Sequence, residues 1–349
     1  MRQSVIALAV GAALAGAASA QTANVTLYGL VDTYVANVRT SAGRTAAGGG
    51  GAPVASASVS VVDAGGLSGS RWGIRGSESL GGGVNAVFTL EGGINSDVGS
   101  AAQGGLLFGR QAFVGLSGGF GTLTLGRQYA PAFYVVCAAG ADGCGNFSHE
   151  ANHILLQLGS TTLRIDNSVY FKTANMAGFT AAAMYAFGEN PAGTSRNRMI
   201  GFNAEYSNGP IYVGAGWGDR KNAAGATAQR TWLLGGSFSA PMAKLSAIYG
   251  ESKFVFPQTF KFWQLGANVP FGNVTLVAQY GQGKSGAAKQ ELINLGATYA
   301  MSKRTDLYAR FANADNNAFS NINAAGMGGV AQQYGADKRA IAVGIRHRF

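Results

Sequence analysis

The sequence predicts an all-β protein that crosses a membrane as a closed antiparallel barrel. Hydrophobic and polar residues alternate with a period of two along most of the chain, which is typical of strands with two different faces. Short Gly-rich turns alternate with longer polar loops between these strands. Strands of roughly ten residues with short turns at one end and long loops at the other are typical of outer-membrane barrels. The pattern gives sixteen strands, and eighteen would also fit.

The composition excludes several other classes of protein. Of the 349 residues 47% are hydrophobic and aromatic residues recur throughout, which excludes an intrinsically disordered chain. After residue 20, no apolar run reaches the ~20 residues that a transmembrane helix needs. The 26 Lys and Arg residues exceed the 16 Asp and Glu residues, but they are scattered singly, which argues against nucleic-acid binding. For an exported chain, anionic solutes or lipopolysaccharide are better partners for this excess of basic charge.

The first twenty residues have the pattern of a secretory signal peptide. Arg2 precedes an apolar run from Val5 to Ala17, and Ala18-Ser19-Ala20 supplies the small residues that a signal peptidase requires. A membrane anchor is the less favoured alternative, because the run is shorter than the ~20 residues of a spanning helix. We therefore expect a cleaved signal peptide at 1–20 and one barrel domain at 21–349.

The first strand shows how alternation assigns residues to the two faces of the barrel. Leu27 and Val31 lie on one face, and Tyr28 and Asp32 lie on the other. Because apolar residues face lipid and polar residues face the lumen, Tyr28 and Asp32 are predicted to line the pore.

The same alternation between the two faces of a strand predicts a basic wall inside the barrel. Arg71 and Arg75 lie on the face opposite Trp72 in their strand, so both should point into the lumen. In a later strand, Arg164 and Asp166 share one face and should also point inward. A few ionised groups on a narrow aqueous path can select ions by charge.

Residues 130–165 interrupt the hairpin pattern with an insertion too long for a simple turn, which indicates a functional loop. Two cysteines, Cys137 and Cys144, lie seven positions apart within it. An oxidising compartment favours a local disulfide between them over two unpaired thiols.

The same insertion contains a motif that suggests a metal site. His149, Glu150 and His153 match the H-E-x-x-H pattern of zinc proteases, in which two imidazoles bind the metal and the glutamate activates water. A third ligand and a surrounding protease domain are missing from the pattern. An ordinary loop turn is therefore favoured, and an adventitious metal site at His149 and His153 remains the alternative.

Five segments, taken in order, match a known family. They read VTLYGLVD, SRWGIRGSESLGGG, GRQAFVGLSGGFGTLTLGRQY, RIDNSVYF and AVGIRHRF. With these segments the chain resembles the general porins of Gram-negative outer membranes, in their betaproteobacterial branch. The resemblance implies a homotrimer of sixteen-stranded barrels in the cell outer membrane. Each barrel would hold a water-filled pore narrowed by a long third loop, here 130–165, folded into the lumen.

The resemblance also implies a function and an assembly route. Small hydrophilic solutes and ions would diffuse passively through the pore, without a cofactor and without enzymatic activity. The final strand, which ends on Phe349, would be recognised by the barrel assembly machinery. A substrate-specific channel, an adhesin or receptor barrel with little conductance, and a membrane enzyme are the alternatives.

For the pore itself, the resemblance adds Arg127 to the basic wall. Strict alternation puts Arg127 on the lipid side, so its membership requires a bulge or a strand end. The third loop departs from the family pattern, because it carries only Asp142 and Glu150 as acids, and Tyr170 stands where this branch often has a basic residue. The excess of arginines over acids predicts a preference for anions.

Overall fold

The computed structural model describes residues 24–142, 144–145, 147–148, 161, 163–254, 259–321 and 333–349. The predicted signal peptide and the residues 149–153 of the H-E-x-x-H motif lie outside the described residues. Among the described residues, no helix is long and apolar enough to cross a membrane.

Sixteen strands in the described part of the chain form one closed antiparallel sheet, as predicted. They are β1 (Asn24–Thr40), β2 in two segments, β2a (Ala57–Ala64) and β2b (Arg71–Gly81), β3 (Val84–Asn95), β4 (Gln111–Gly118), β5 (Gly121–Tyr129), β6 (Arg164–Lys172), β7 (Phe179–Ala186), β8 (Met199–Asn208), β9 (Ile211–Lys221), β10 (Thr227–Ala240), β11 (Ala243–Phe254), β12 (Thr259–Phe271), β13 (Val274–Ser285), β14 (Ala288–Ala300), β15 (Thr305–Asn316) and β16 (Lys338–Arg348).

Smaller elements lie in the loops between these strands. Two-residue strands occur at Gly43–Arg44, Pro53–Val54 and Ser100–Ala101. In the part of the loops that the structure describes, there are two helices, α1 (Ala102–Gly105) and α2 (Pro131–Ala139). Because these short strands pair only within loops or at the end of β3, they add nothing to the barrel wall.

The first and last strands close the barrel. Along their shared edge, β1 and β16 pair from Leu30 opposite Arg348 to Thr40 opposite Lys338. The other edge of β1 pairs with β2a in its C-terminal half and with β2b in its N-terminal half. A closed sheet leaves no row of unpaired backbone groups, which is the condition for spanning lipid with strands.

The two faces of each strand differ as the alternation predicts. In β10, Thr231 and Leu233 are fully buried on the inside, whereas Trp232 and Leu234 are exposed on the outside. The same alternation of exposed apolar and buried side chains continues through β11 to β16. The outer face of the barrel is therefore apolar and suited to lipid.

The third loop folds into the lumen, and its helix α2 packs against the inner faces of β8 to β11. Two glycines make this approach possible, because a Cβ atom at Gly216 would lie 3.0 Å from Ala132 and one at Gly235 would lie 2.7 Å from Ala139. On β11, Lys244 donates hydrogen bonds of 3.0 and 2.7 Å to the carbonyl oxygens of Ala138 and Gly140. A cation at these C-terminal carbonyls stabilises the end of the helix.

The segment 65–70, which divides β2, also folds inward. The carboxylate of Asp32 accepts hydrogen bonds of 2.8 Å from the backbone N–H groups of Leu67 and Ser68 and one of 2.6 Å from the hydroxyl of Tyr308. Leu67 then joins a buried cluster with Phe147 of the third loop. The lumen is thus narrowed from two sides, by α2 and by the inward fold of 65–70.

Candidate functional site

Four arginines converge on one inner wall of the barrel, opposite the third loop. Arg71 and Arg75 come from β2b, Arg110 directly precedes β4, and Arg164 begins β6. Antiparallel pairing of β1 to β6 brings these segments side by side although they are distant in sequence. We call these four residues the arginine cluster.

A tyrosine hydroxyl holds two members of the arginine cluster together. The hydroxyl oxygen of Tyr129 accepts a hydrogen bond of 2.9 Å from Arg110 and one of 2.7 Å from Arg164. The guanidinium carbon of Arg164 also lies 4.7 Å from the centre of the Tyr129 ring. These contacts fix the positions of two cations that would otherwise repel each other.

One carboxylate lies within the cluster. Glu91 binds Arg110 with an N–O distance of 2.8 Å, and both side chains are nearly inaccessible to solvent, at 5% and 7% exposure. Glu91 also accepts a hydrogen bond of 3.1 Å from the hydroxyl of Tyr28, whose ring lies 5.2 Å from the guanidinium carbon of Arg75. Four guanidinium groups and one carboxylate give the wall a clear excess of positive charge.

Arg71 completes the cluster from the side. Its Nε donates a hydrogen bond of 2.9 Å to the carbonyl oxygen of Gly69, in the inward fold of 65–70. It interacts electrostatically with Arg110, Glu91 and Arg164. The inward fold of β2 therefore positions one of the charged groups of the wall.

The third loop faces this wall with aromatic rings. Phe133 of α2 stacks on Tyr129, with ring centres 3.9 Å apart and planes inclined by 13°. Tyr134 contacts the ring of Tyr170, which lies on β6, at 6.2 Å. Burial raises the pKa of the Tyr134 hydroxyl, so this group stays neutral at ordinary pH. The helix α2 thus faces the wall with the neutral side chains of Phe133 and Tyr134.

Of the two acids predicted for the third loop, the described one, Asp142, does not face the arginine cluster. Asp142 forms a two-point ion pair with Arg310 on β15, at 3.1 and 3.3 Å. Burial raises the pKa of the Asp142 carboxyl, and the adjacent Arg310 opposes that change. Glu150 lies outside the described residues. The one described acid of the pair is therefore already matched by a cation elsewhere.

Arg127 and Asp166 bind each other and stand apart from the arginine cluster. Their side chains form an ion pair in which Asp166 is 63% exposed, and Arg127 donates a further hydrogen bond of 2.8 Å to the carbonyl oxygen of Gly109. The register of β5 and β6 shifts between Ile165 and Ser168. This bulge breaks the alternation that predicted a common inward face for Arg164 and Asp166, and only Arg164 joins the cluster.

Asp32 lies on the inner side of β1, as its parity predicts, but it does not line the open pore. Its side chain is fully buried, because the inward fold of 65–70 covers it and its carboxylate accepts the hydrogen bonds of that fold. Alternation alone does not reveal this break in β2, which is why it predicts a water-facing position for Asp32.

The two cysteines and the C-terminus have clear positions. Cys137 and Cys144 form a disulfide, which closes the end of α2 onto the segment that follows it. The backbone of Phe349 pairs with that of Gly29 by hydrogen bonds of 3.0 and 3.2 Å, and its ring covers Gly29. In the described residues, no group of three or more metal-binding side chains is found. His149 and His153 lie outside that range.

Sequence reasoning missed Arg110, Glu91 and Tyr129. Parity carried a signal for Glu91, because it alternates with apolar residues on the same polar face as Thr89. Arg110 and Tyr129 lie at or just beyond strand ends, where alternation assigns no direction. Only the pairing of β3, β4 and β5 brings the three residues together.

A closed sixteen-stranded barrel with an apolar outer face, an inward-folded third loop and a charged inner wall defines a channel of the porin class. A family model described as Gram-negative porin matches residues 7–318. The chain therefore belongs to the Gram-negative porin family and is an outer-membrane porin.

Relatives with known names cover the whole chain. Outer membrane porin protein 32 of Delftia acidovorans is 37% identical over 368 residues, with complete coverage of both chains. An outer membrane porin protein of Bordetella pertussis is 32% identical over 405 residues, again with complete coverage of both. Among solved structures, an anion-selective porin from Comamonas acidovorans matches with a TM-score of 0.77 and 30% identity, covering 94% of this chain and all of that one.

Proposed function

We propose that this porin prefers anions among the small hydrophilic solutes and ions that diffuse through it. The observation that carries the proposal is the arginine cluster, in which Arg71, Arg75, Arg110 and Arg164 are offset only by Glu91 among the contacts of the described residues. The anion-selective porin from Comamonas acidovorans, which is similar over 94% of this chain, supports the same preference.

The fixed geometry of the cluster explains why it would act on passing ions. Charges next to a low-dielectric wall focus their field on the narrow aqueous path, so a small excess of cations raises the local concentration of anions. Because Tyr129 and Glu91 hold the guanidinium groups of Arg110 and Arg164 in place, the field of these two groups requires no rearrangement when an ion arrives. Salt screens such a field over ~10 Å at 0.1 M, so the preference should weaken at high salt.

The test replaces two arginines of the cluster. In a planar bilayer with a salt gradient, the double variant Arg75→Gln/Arg164→Gln should lower the anion-to-cation permeability ratio by about fivefold, because two net charges leave the path. Arg127→Gln is the matched control, since Arg127 pairs with Asp166 outside the cluster. An unchanged reversal potential in the double variant would refute the proposal.

We also propose the remaining features of a porin for this chain. Cleavage after Ala20 would release residues 21–349, three barrels would associate, and the barrel assembly machinery would recognise the strand that ends on Phe349. The barrel would act without a cofactor and without enzymatic turnover.

Closing of the refolded protein in three equal current steps at high voltage would support the trimer. A saturable block by one solute would instead indicate a substrate-specific channel, and correctly folded barrels without conductance would favour an adhesin or receptor.

A further inference from the structure

The segment 65–70, which folds into the lumen, is bound at several points by one residue of β1. The carbonyl oxygen of Asp32 accepts a hydrogen bond of 2.8 Å from the N–H group of Gly65, and its carboxylate accepts two of 2.8 Å from N–H groups in the middle of the segment. At the far end, the hydroxyl of Ser70 bonds to both the N–H and the carbonyl group of Asp32, each at 2.9 Å. The conformation of the segment therefore depends on this one buried residue.

One side of the segment contacts the arginine cluster. The carbonyl oxygen of Gly69 accepts a hydrogen bond of 2.9 Å from Nε of Arg71. A hydrogen bond from a charged donor is strong and directional, so it fixes the orientation of a guanidinium group that interacts with Arg110 and Arg164. A change in the backbone of 65–70 would therefore move a charge of the ion path.

The other side of the segment holds the third loop. The N–H group of Phe147 donates a hydrogen bond of 3.1 Å to the carbonyl oxygen of Gly66, and Phe147 is fully buried in a cluster with Leu67. Gly145 lies so close to the segment that a Cβ atom there would be 2.0 Å from the carbonyl oxygen of Leu67. The segment thus touches both components of the constriction, the basic wall and the loop.

A carboxylate is suited to the position of Asp32 because it has two oxygens that only accept hydrogen bonds. One oxygen accepts both N–H groups of the segment, and the other accepts a hydrogen bond of 2.6 Å from the hydroxyl of Tyr308 on β15. An asparagine would turn its NH2 group, which only donates, toward one of these sets of donors. At least one donor would then lose its acceptor inside the protein, where such a loss is costly.

We infer that Asp32 is a positioning residue for ion selection by the channel. Through 65–70 it fixes Arg71 on one side of the ion path and the third loop on the other, although its covered carboxylate touches no passing ion. The inference rests on the proposed anion preference. It gives Asp32 an effect opposite in sign to that of its charge. Loss of an acid from the wall should by itself strengthen the anion preference, whereas loss of a positioned arginine should weaken it.

The test compares two acids on neighbouring strands. In a planar bilayer with a salt gradient, Asp32→Asn should lower the anion-to-cation permeability ratio by about twofold, because Arg71 loses its fixed orientation. Asp63→Asn on β2a is the matched control. In the described structure, the carboxylate of Asp63 accepts hydrogen bonds from the hydroxyl of Tyr34, at 3.0 Å, and from the N–H group of the next residue. This variant removes the same charge and should keep or raise the ratio.

A double variant tests whether the effect passes through Arg71. Arg71→Gln alone should lower the ratio, and adding Asp32→Asn should lower it no further, since the charge that Asp32 positions is already gone. A full second loss in the double variant would show that Asp32 acts independently of Arg71, against the inference.

Two other outcomes separate the inference from the anion proposal. If Arg71→Gln lowers the ratio but Asp32→Asn keeps or raises it as the control does, the inference fails and the anion proposal stands. If Arg71→Gln itself leaves the ratio unchanged, Arg71 has no part in the selection of ions, and the inference fails together with that part of the anion proposal.

A second variant applies if Asp32→Asn does not fold, as judged by the change in electrophoretic mobility on heating. Ser70→Ala removes both hydrogen bonds between the serine hydroxyl and the backbone of Asp32 without changing any charge. Folded barrels of this variant should lose part of the anion preference, with a ratio about 1.5-fold lower. A wild-type ratio in these barrels would overturn the inference.

Discussion

The arginine cluster inside the barrel and the three lysines Lys261, Lys284 and Lys289 on its outer face both place positive charges on neighbouring strands, but they are built differently. Inside, the guanidinium groups of Arg110 and Arg164 share the hydroxyl of Tyr129, and Glu91 binds Arg110 where water is excluded. Outside, Lys261 and Lys289 are 59% and 41% exposed, and they pair with Glu251 at 3.8 Å and with Glu291 at 2.6 Å. The comparison teaches that buried hydrogen bonds and a buried ion pair hold cationic groups in fixed positions, whereas exposed ammonium groups on long side chains stay mobile.

The largest expected effect is on stability, when the acid of the inner region is removed and compared with an acid of the outer region. Glu91→Ala should lower the free energy of unfolding by about 3 to 5 kcal/mol, because it leaves the buried charge of Arg110 without its partner. Glu251→Ala should cost less than about 1 kcal/mol, since Lys253 and Lys261 stay hydrated without it. Urea unfolding in lipid vesicles, followed by tryptophan fluorescence, measures both. Equal losses would show that the inner pair is no more strongly coupled than the outer one.

A smaller effect should follow from loosening the arginine cluster without changing its charge. Tyr129→Phe keeps the ring that stacks on Phe133 but removes the oxygen that accepts hydrogen bonds from Arg110 and Arg164. The anion-to-cation permeability ratio should fall by about twofold, because the cations become mobile while their number is unchanged. Tyr249→Phe, on the lipid side beside Trp232, is the control and should leave the ratio unaltered. A full anion preference in Tyr129→Phe would mean that charge alone, without fixed geometry, is sufficient.

The smallest effect concerns the acid that the third loop uses for attachment. Because burial raises the pKa of Asp142, its carboxylate takes up a proton at a higher pH than the ordinary value of about 4. As the pH falls through that raised pKa, Arg310 loses its negative partner and the net positive charge of the lumen increases. Anion preference should therefore rise slightly in mild acid. Asp142→Asn should abolish this component of the pH dependence, and an identical pH profile in that variant would exclude Asp142 as its source.

Much of this fold could be predicted from the sequence, since alternation follows directly from the geometry of a strand. Alternation assigns the faces of β1 and β2b correctly, and Arg71, Arg75 and Arg164 do meet on one wall. Parity fails where the backbone departs from a regular strand. The break in β2 buries Asp32, and the bulge between Ile165 and Ser168 separates Asp166 from Arg164.

The composition of the site was less accessible than the fold. Arg110 contacts Glu91 and Tyr129, each nineteen residues away in the sequence, and these contacts depend on the register of three strands rather than on any local motif. Arg127 shows the reverse case. The family resemblance places Arg127 in the basic wall, whereas strict alternation places it on the opposite face of its strand. In the structure, Arg127 lies apart from the arginine cluster and pairs with Asp166.

The attachment of the third loop has a consequence for the size of solutes that pass. The loop is joined to itself by the disulfide between Cys137 and Cys144, to β11 by Lys244 and to β15 through Asp142 and Arg310. A solute that presses against the loop would have to break several of these contacts at once. The narrowest part of the barrel should therefore keep a constant diameter. Solutes above a sharp limit in diameter should be excluded, and this limit should not increase as the concentration gradient of the solute steepens.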